Sequence, residues 1–257
     1  MSDSKKFQQT ADLLFEISSL LMVSGANTSR INISIDRFAS VLNFDVQSWI
    51  SQKTIIMTLT DEVTKQSTTK VYNLPPHALS YLIISEISKS SWTAIHENWS
   101  LEEIEAEIKR IKELEKYPKI VVLFAVSFAI AGFCNLFKGD YLNMLVAFIS
   151  AFVGLFVAQQ AHRLKYNMYI RIFLASLVAS LIASIGMVFN IGANPQTAVA
   201  TSILFLVPGV TLINSFTDLL EGNILNGVVR FAMGAMTVLA IATGLFIAMY
   251  VFSINKI

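Results

Sequence analysis

Ser202-Ile-Leu-Phe-Leu-Val-Pro-Gly-Val-Thr-Leu-Ile-Asn-Ser-Phe-Thr-Asp218 is an apolar run broken at Pro208-Gly209 and followed by Asn214, Asp218 and Glu221. Proline lacks a backbone donor and clashes with the turn before it, and glycine adds backbone freedom. In hydrocarbon, backbone groups freed by such a break persist only where protein or a wet cavity satisfies them. A broken apolar helix with polar residues beside the break is therefore a transporter-like signal. A kinked structural helix is the plainer explanation of the same residues.

Outward from this stretch, charge almost vanishes after Pro118. Five apolar spans follow, at about 119–137, 141–161, 168–189, 197–215 and 226–252. A helix crossing the bilayer needs roughly 20 apolar residues, which all five meet, the fourth marginally. The whole chain agrees: 54% of its 257 residues are hydrophobic and 14% charged, where a soluble domain carries roughly 25% charged residues. In the third span Ala175, Ala179 and Ala183 sit beside Ser176, Ser180 and Ser184, and such small-residue stripes let membrane helices approach closely. The net charge of +1 argues against a nucleic-acid binder. Cys134, the single cysteine, excludes an intramolecular disulfide and a cysteine-based metal cluster.

Before Pro118 the apolar runs are short and interleaved with polar residues, as in a small α+β domain. Ala11, Leu14, Phe15, Ser18, Leu21 and Met22 form one helical stripe. Ser24-Gly25 ends that helix, and Asn27-Thr28 caps the next, through Ile31, Ile35, Phe38 and Leu42. Strands are expected at Val46–Ile50, Thr54–Thr60 and Thr68–Tyr72. Pro75-Pro76 precedes a helix containing Leu79, Leu82, Ile83 and Ile87. Ser100-Leu-Glu-Glu103 is a capping box that opens a charged helix with Leu101, Ile104, Ile108 and Ile111 as its apolar seam. The expected architecture is a polytopic α-helical membrane protein with five transmembrane helices (118–257) behind an N-terminal cytosolic α+β domain (1–117).

Basic residues orient the spans. Lys109, Arg110, Lys112, Lys116 and Lys119 flank the first; Arg163, Lys165 and Arg171 join the second to the third. Two crossings separate the clusters, so both face one side, taken as cytoplasmic. The loop with Lys138 and Asp140 and the Asn190–Gln196 loop then face outward. The N-terminus carries no apolar core of the signal-peptide kind and is expected to stay cytoplasmic. Five crossings put the C-terminus, with Lys256, outside, across what is expected to be the inner (cytoplasmic) membrane.

Asp218, Glu221 and Arg230 are the only charges between Arg171 and Lys256. Ionisable residues at membrane depth are costly unless partnered, which marks them as functional candidates; a solvated hairpin is the alternative. Arg230 is suited to receiving a carboxylate in bidentate geometry. Asp218 is a candidate to carry a proton or to hold that arginine. Asn214 is placed to bond a substrate or the carbonyls freed at the break. With Pro208 and Gly209, these three residues make up the candidate substrate-binding set. His162, Asn135 and Gln159 read as interfacial. Ser24–Arg30 is either a small-residue ligand loop at a helix N-terminus or a helix–helix turn. His77, His96 and Glu97 lack metal spacing, and no phosphate-binding or dinucleotide glycine motif occurs, so no metal or cofactor is expected. A secondary mechanism or a passive path is therefore preferred to one driven by bound ATP.

Leu20–Thr28, Gln52–Thr60, Tyr117-Pro118, Phe133–Leu136 and, above all, Leu206–Asn214 with Asp218 and Gly222 resemble the threonine/serine exporter family, in its split, two-component type. The resemblance covers nearly the whole chain. Asn27 departs from it, because the family commonly has a glutamate there. The resemblance implies export of a small carboxylate metabolite, an amino acid or a dicarboxylate, and no enzymatic activity. Full-length members have about twice the membrane helices of this chain, which implies a smaller membrane subunit as partner, within membrane lipid. A homo-oligomer is another assembly open to a five-span subunit. The rival reading is a membrane-anchored sensory or scaffold protein whose soluble domain binds a ligand or partner.

Overall fold

The computed structural model describes residues 2–75, 79–114 and 117–252, with side chains from residue 5 onward. Pro76, His77, Lys116 and Lys256 lie outside the described residues. The chain forms two compact units, Met1–Glu115 with Val210–Phe231, and Lys116–Gly209 with Ala232–Ile257. Where the sequence suggests a division at 117/118, the first unit thus also takes in a segment from the apolar half.

In the first unit, α1 (Ser2–Val23) and α2 (Thr28–Val41) precede the strands β1 (Phe44–Ile50), β2 (Thr54–Asp61) and β3 (Ser67–Asn73), followed by α3 (Tyr81–Glu97) and α4 (Leu101–Lys112). Each strand is one or two residues longer than its pattern suggests. Gly25 turns the chain between α1 and α2 at φ +91°, a conformation that suits glycine. Asn27 caps α2 by accepting from the Arg30 N–H at 2.9 Å. The strands form an antiparallel meander in the order β1-β2-β3. Alternation along β2 buries Ile55, Met57 and Leu59 on one face. They join Leu14, Ile17 and Leu21 of α1, Ile31, Ile35 and Phe38 of α2, Ile87 of α3, and the α4 seam in one core.

Asn98, left-handed at φ 51°, ends α3, and the expected capping box starts α4. On the surface, Arg110 reaches Glu107 at 2.7 Å and Glu86 at 2.8 Å. Its hydrogen bonds hold both carboxyls below their ordinary range.

The second unit carries α5 (Lys119–Leu136), α6 (Tyr141–Arg163), α7 (Met168–Val188), α8 (Pro195–Ser202) and most of α10 (Ile224–Val251). Among the described residues four helices, α5, α6, α7 and α10, are long and apolar enough to cross a membrane. A fifth span results if α8 and α9 (Gly209–Leu220) count as one interrupted segment. The Ala/Ser stripe of α7 is buried along its length. A Cβ on Gly154 of α6 would meet Ala179 Cβ at 2.8 Å, and one on Gly244 of α10 would meet the Leu177 amide nitrogen at 2.7 Å. These are backbone approaches that only the smallest residues allow. Ser176 Oγ also donates to the Ile241 carbonyl at 2.8 Å, tying α7 to α10.

The loops before α6 and after α7 are clasped together. Asp140 caps α6 at the Asn143 N–H (2.8 Å) and accepts the Ala193 N–H (2.8 Å). Asn143 Nδ2 donates to the Ile191 carbonyl at 2.8 Å. The expectation that both loops share one side agrees with this contact.

Candidate functional site

The interruption is longer than the Pro-Gly pair alone suggests. After α8 ends at Ser202, Leu204–Leu206 make one 3-10 turn, and Val207 is extended at φ −61°, ψ 125°. That conformation is what a following proline imposes on the residue before it. Gly209 opens α9 and donates its N–H to the Val207 carbonyl at 2.9 Å. A Cβ built on Gly209 meets nothing within 4 Å, and its φ is not in the left-handed region. Proline and the extended residue before it, rather than glycine, set this break.

Beyond the break, polar residues recur at four-residue spacing, so they share a helix face. Asn214 and Asp218 lie on α9; Asn226 and Arg230 lie one helical turn apart on α10. Gly222, at φ +84°, stands in the short connection between the two helices. Ser215 Oγ donates to the Gly227 carbonyl at 2.8 Å and fastens α9 to α10.

This polar face meets the turn between α1 and α2. Asn214 Nδ2 donates to the Gly25 carbonyl at 2.7 Å. Asp218 Oδ1 accepts the Thr28 N–H at 2.9 Å. Arg230 Nη2 donates to the Ala26 carbonyl at 2.8 Å and approaches Met22 Sδ at 3.5 Å. Asn226 Nδ2 donates to Thr28 Oγ1 at 3.0 Å and to the Ile50 carbonyl at 2.7 Å. At the centre Arg230 Nε lies 3.2 Å from Asp218 Oδ2, with Asp218 0% and Arg230 6% exposed. Neither of those two atoms makes a well-aligned hydrogen bond. A buried ion pair of this kind is held by packing and by its neighbours' bonds more than by its own geometry.

The structure therefore brings Asn214, Asp218 and Arg230 together and assigns Asp218 a place against the arginine. Pro208 and Gly209 act on the backbone path alone. Glu221 is exposed. His162 pairs with Arg171, and Gln159 donates to the Lys119 carbonyl at 3.3 Å. Of Ser24–Arg30, which sequence left open between turn and ligand loop, Ser24–Asn27 join α1 to α2 and Thr28–Arg30 open α2, and the segment supplies partners to the polar face. Asn226 and Ser215 went unremarked in the sequence, where Thr28 was read as part of a helix start; the i, i+4 pairing of Asn226 with Arg230 was the signal for the first.

Four apolar helices of spanning length, a fifth interrupted segment and a buried polar face beyond the interruption define a polytopic helical membrane protein. The chain belongs to the threonine/serine exporter family: the family model ThrE, described as "Putative threonine/serine exporter", matches residues 12–252. The family is one of transporters, not enzymes. A relative named "Probable succinate transporter subunit YjjP" from Klebsiella aerogenes is 26% identical over 252 residues, covering 96% of each chain. A relative of the same name from Escherichia coli K12 is 25% identical over 246 residues, covering 95% of this chain and 94% of its own. No solved structure matches the chain.

Proposed function

We propose that this chain is one subunit of a secondary exporter that moves a small carboxylate metabolite out of the cytoplasm. The cargo is a threonine- or serine-type amino acid or a succinate-type dicarboxylate, and a smaller membrane subunit completes the path. Family membership supports export, and the relatives' names, with the words succinate and subunit, support the cargo class and the partner. The observation that carries the reading for this chain is Arg230, a buried cation set against Asp218 in a chain otherwise rich in apolar helices. An arginine fork is the side chain best matched to a carboxylate.

On this reading Asn214, Asp218 and Arg230 make up the cargo site, and Pro208 with Gly209 stands at the break that precedes them in the chain. The α8–α9 segment counts as the fourth of five crossings in a transmembrane domain of residues 118–257. Residues 1–117 form a cytosolic domain, and the C-terminus lies outside the inner membrane, as the basic clusters favour.

The test is export from cells lacking the native transporter. Cells given this chain together with a smaller membrane subunit, sought in the neighbouring reading frame, should release labelled succinate, threonine or serine faster than cells given either alone. Arg230→Met should abolish the gain while leaving the protein in the membrane. Equal release with and without the chain refutes the reading.

A further inference from the structure

The amino-terminal end of α2 is suited to an anion, and it already holds one that belongs to the chain. The first amides of a helix carry partial positive charge and no intrahelical acceptor. In α2, a helix of 14 residues, the Thr28 N–H at that end points to Asp218 Oδ1 at 2.9 Å. Arg230 stands on the other side of the same carboxylate, with Nε 3.2 Å from Oδ2. A helix-terminal amide and a guanidinium are each groups that bind free carboxylates.

Asp218 fills this place imperfectly. Both its Oδ2 and Arg230 Nε lack an aligned hydrogen-bond partner, though Asp218 is fully buried and Arg230 is 6% exposed. A short side chain tethered to α9 cannot turn to meet the guanidinium squarely while it also accepts from Thr28. An untethered carboxylate has no such restriction.

We propose that the Thr28 N–H and Arg230 form the receptor for the carboxylate of the transported metabolite, and that Asp218 is its tethered occupant, displaced when cargo binds. The identity of the ligand rests on the export reading above; the receptor itself rests on the residues named here. Asn226 positions it, because its Nδ2 bonds both Thr28 Oγ1 and the Ile50 carbonyl and so fixes the start of α2. No proton transfer or covalent step is needed: one carboxylate replaces another.

The experiment is rescue of Asp218→Ala by acetate, in the full-length chain purified in detergent. Asp218→Ala should melt below the wild type. Acetate at tens of millimolar, against chloride at equal ionic strength, should restore most of that loss. The wild type and the Asp218→Ala/Arg230→Met double variant should not respond. An equal response in all three proteins, or in none, overturns the proposal. Should Asp218→Ala fail to fold, succinate titration of Asp218→Asn decides. Removing the competing charge should tighten binding by about tenfold or more over wild type, and equal or weaker binding overturns the proposal. Rescue without export in cells would keep the receptor and remove the export reading. Export without rescue would do the reverse.

Discussion

Removing one member of the Asp218–Arg230 pair should cost far more than the pair itself is worth. At the 3.2 Å separation, Coulomb attraction at an effective dielectric constant of about 20 is roughly 5 kcal/mol. Desolvation of the two ions consumes several kcal/mol each, so the net contribution of the intact pair is small. A lone buried charge keeps its own penalty without the attraction. Arg230→Met, which leaves Asp218 unpaired, should therefore destabilise by about 3–5 kcal/mol. Asp218→Ala should do at least as much, because the Thr28 N–H also loses its acceptor, a loss of about 1–3 kcal/mol when buried. The double variant removes both charges at once and should cost little more than either single one. A double-mutant cycle on reversible unfolding of the full chain in detergent measures the difference. Single costs that add within about 0.5 kcal/mol would show that the two residues do not interact. That result would refute the pairing on which the site is built.

Three further outcomes follow from other parts of the fold. Ser100→Ala removes the capping-box acceptor of α4 and should lower stability by about 1 kcal/mol in a thermal melt. Gly244→Leu places a branched side chain where even a Cβ would sit 2.7 Å from the Leu177 amide nitrogen; size-exclusion chromatography in detergent should report aggregation or loss of yield. The clasp at Asp140 should resist acid. Backbone N–H groups, first that of Asn143 and then that of Ala193, hold its carboxyl below the ordinary aspartate range. A depressed value means that the stabilisation is complete above about pH 4 and fades only as pH falls through the lowered value. Protease cleavage at residues 189–194 should stay flat from pH 7 to 5 and rise only below about pH 4, whereas Asp140→Ala should be cleaved at every pH.

Much of this was legible in the sequence because periodicity carries it. The α4 seam and its capping box read directly, as did the β2 alternation and the small-residue stripe of α7, since each follows from one local period. The interruption was also legible in kind, through Pro208. Its extent was not, because the 3-10 turn at Leu204–Leu206 has no sequence marker: Ile203-Leu-Phe-Leu206 would be equally at home in a regular helix. The site was legible in its charged members and illegible in its partners. Backbone groups at Gly25, Ala26, Thr28 and Ile50 have no side-chain signature, and a turn near residue 25 carries no mark of the residues some 190 positions later that will bond to it.

Those backbone partners bear on what the amino-terminal domain does. Arg230 cannot leave its place without parting from the Ala26 carbonyl, and Asp218 cannot leave without freeing the Thr28 amide. Ala26 lies in the turn between α1 and α2 and Thr28 opens α2, and both helices are fixed in a core they share with β2, α3 and α4. Motion of the α9–α10 connection is thus resisted by the core of the first unit, while exchange of one carboxylate for another at Arg230 can proceed with that turn in place. On the proposed reading, a site arranged in this way favours ligand exchange over wide opening, and it makes the turn between α1 and α2 part of the binding machinery rather than an appendage to it.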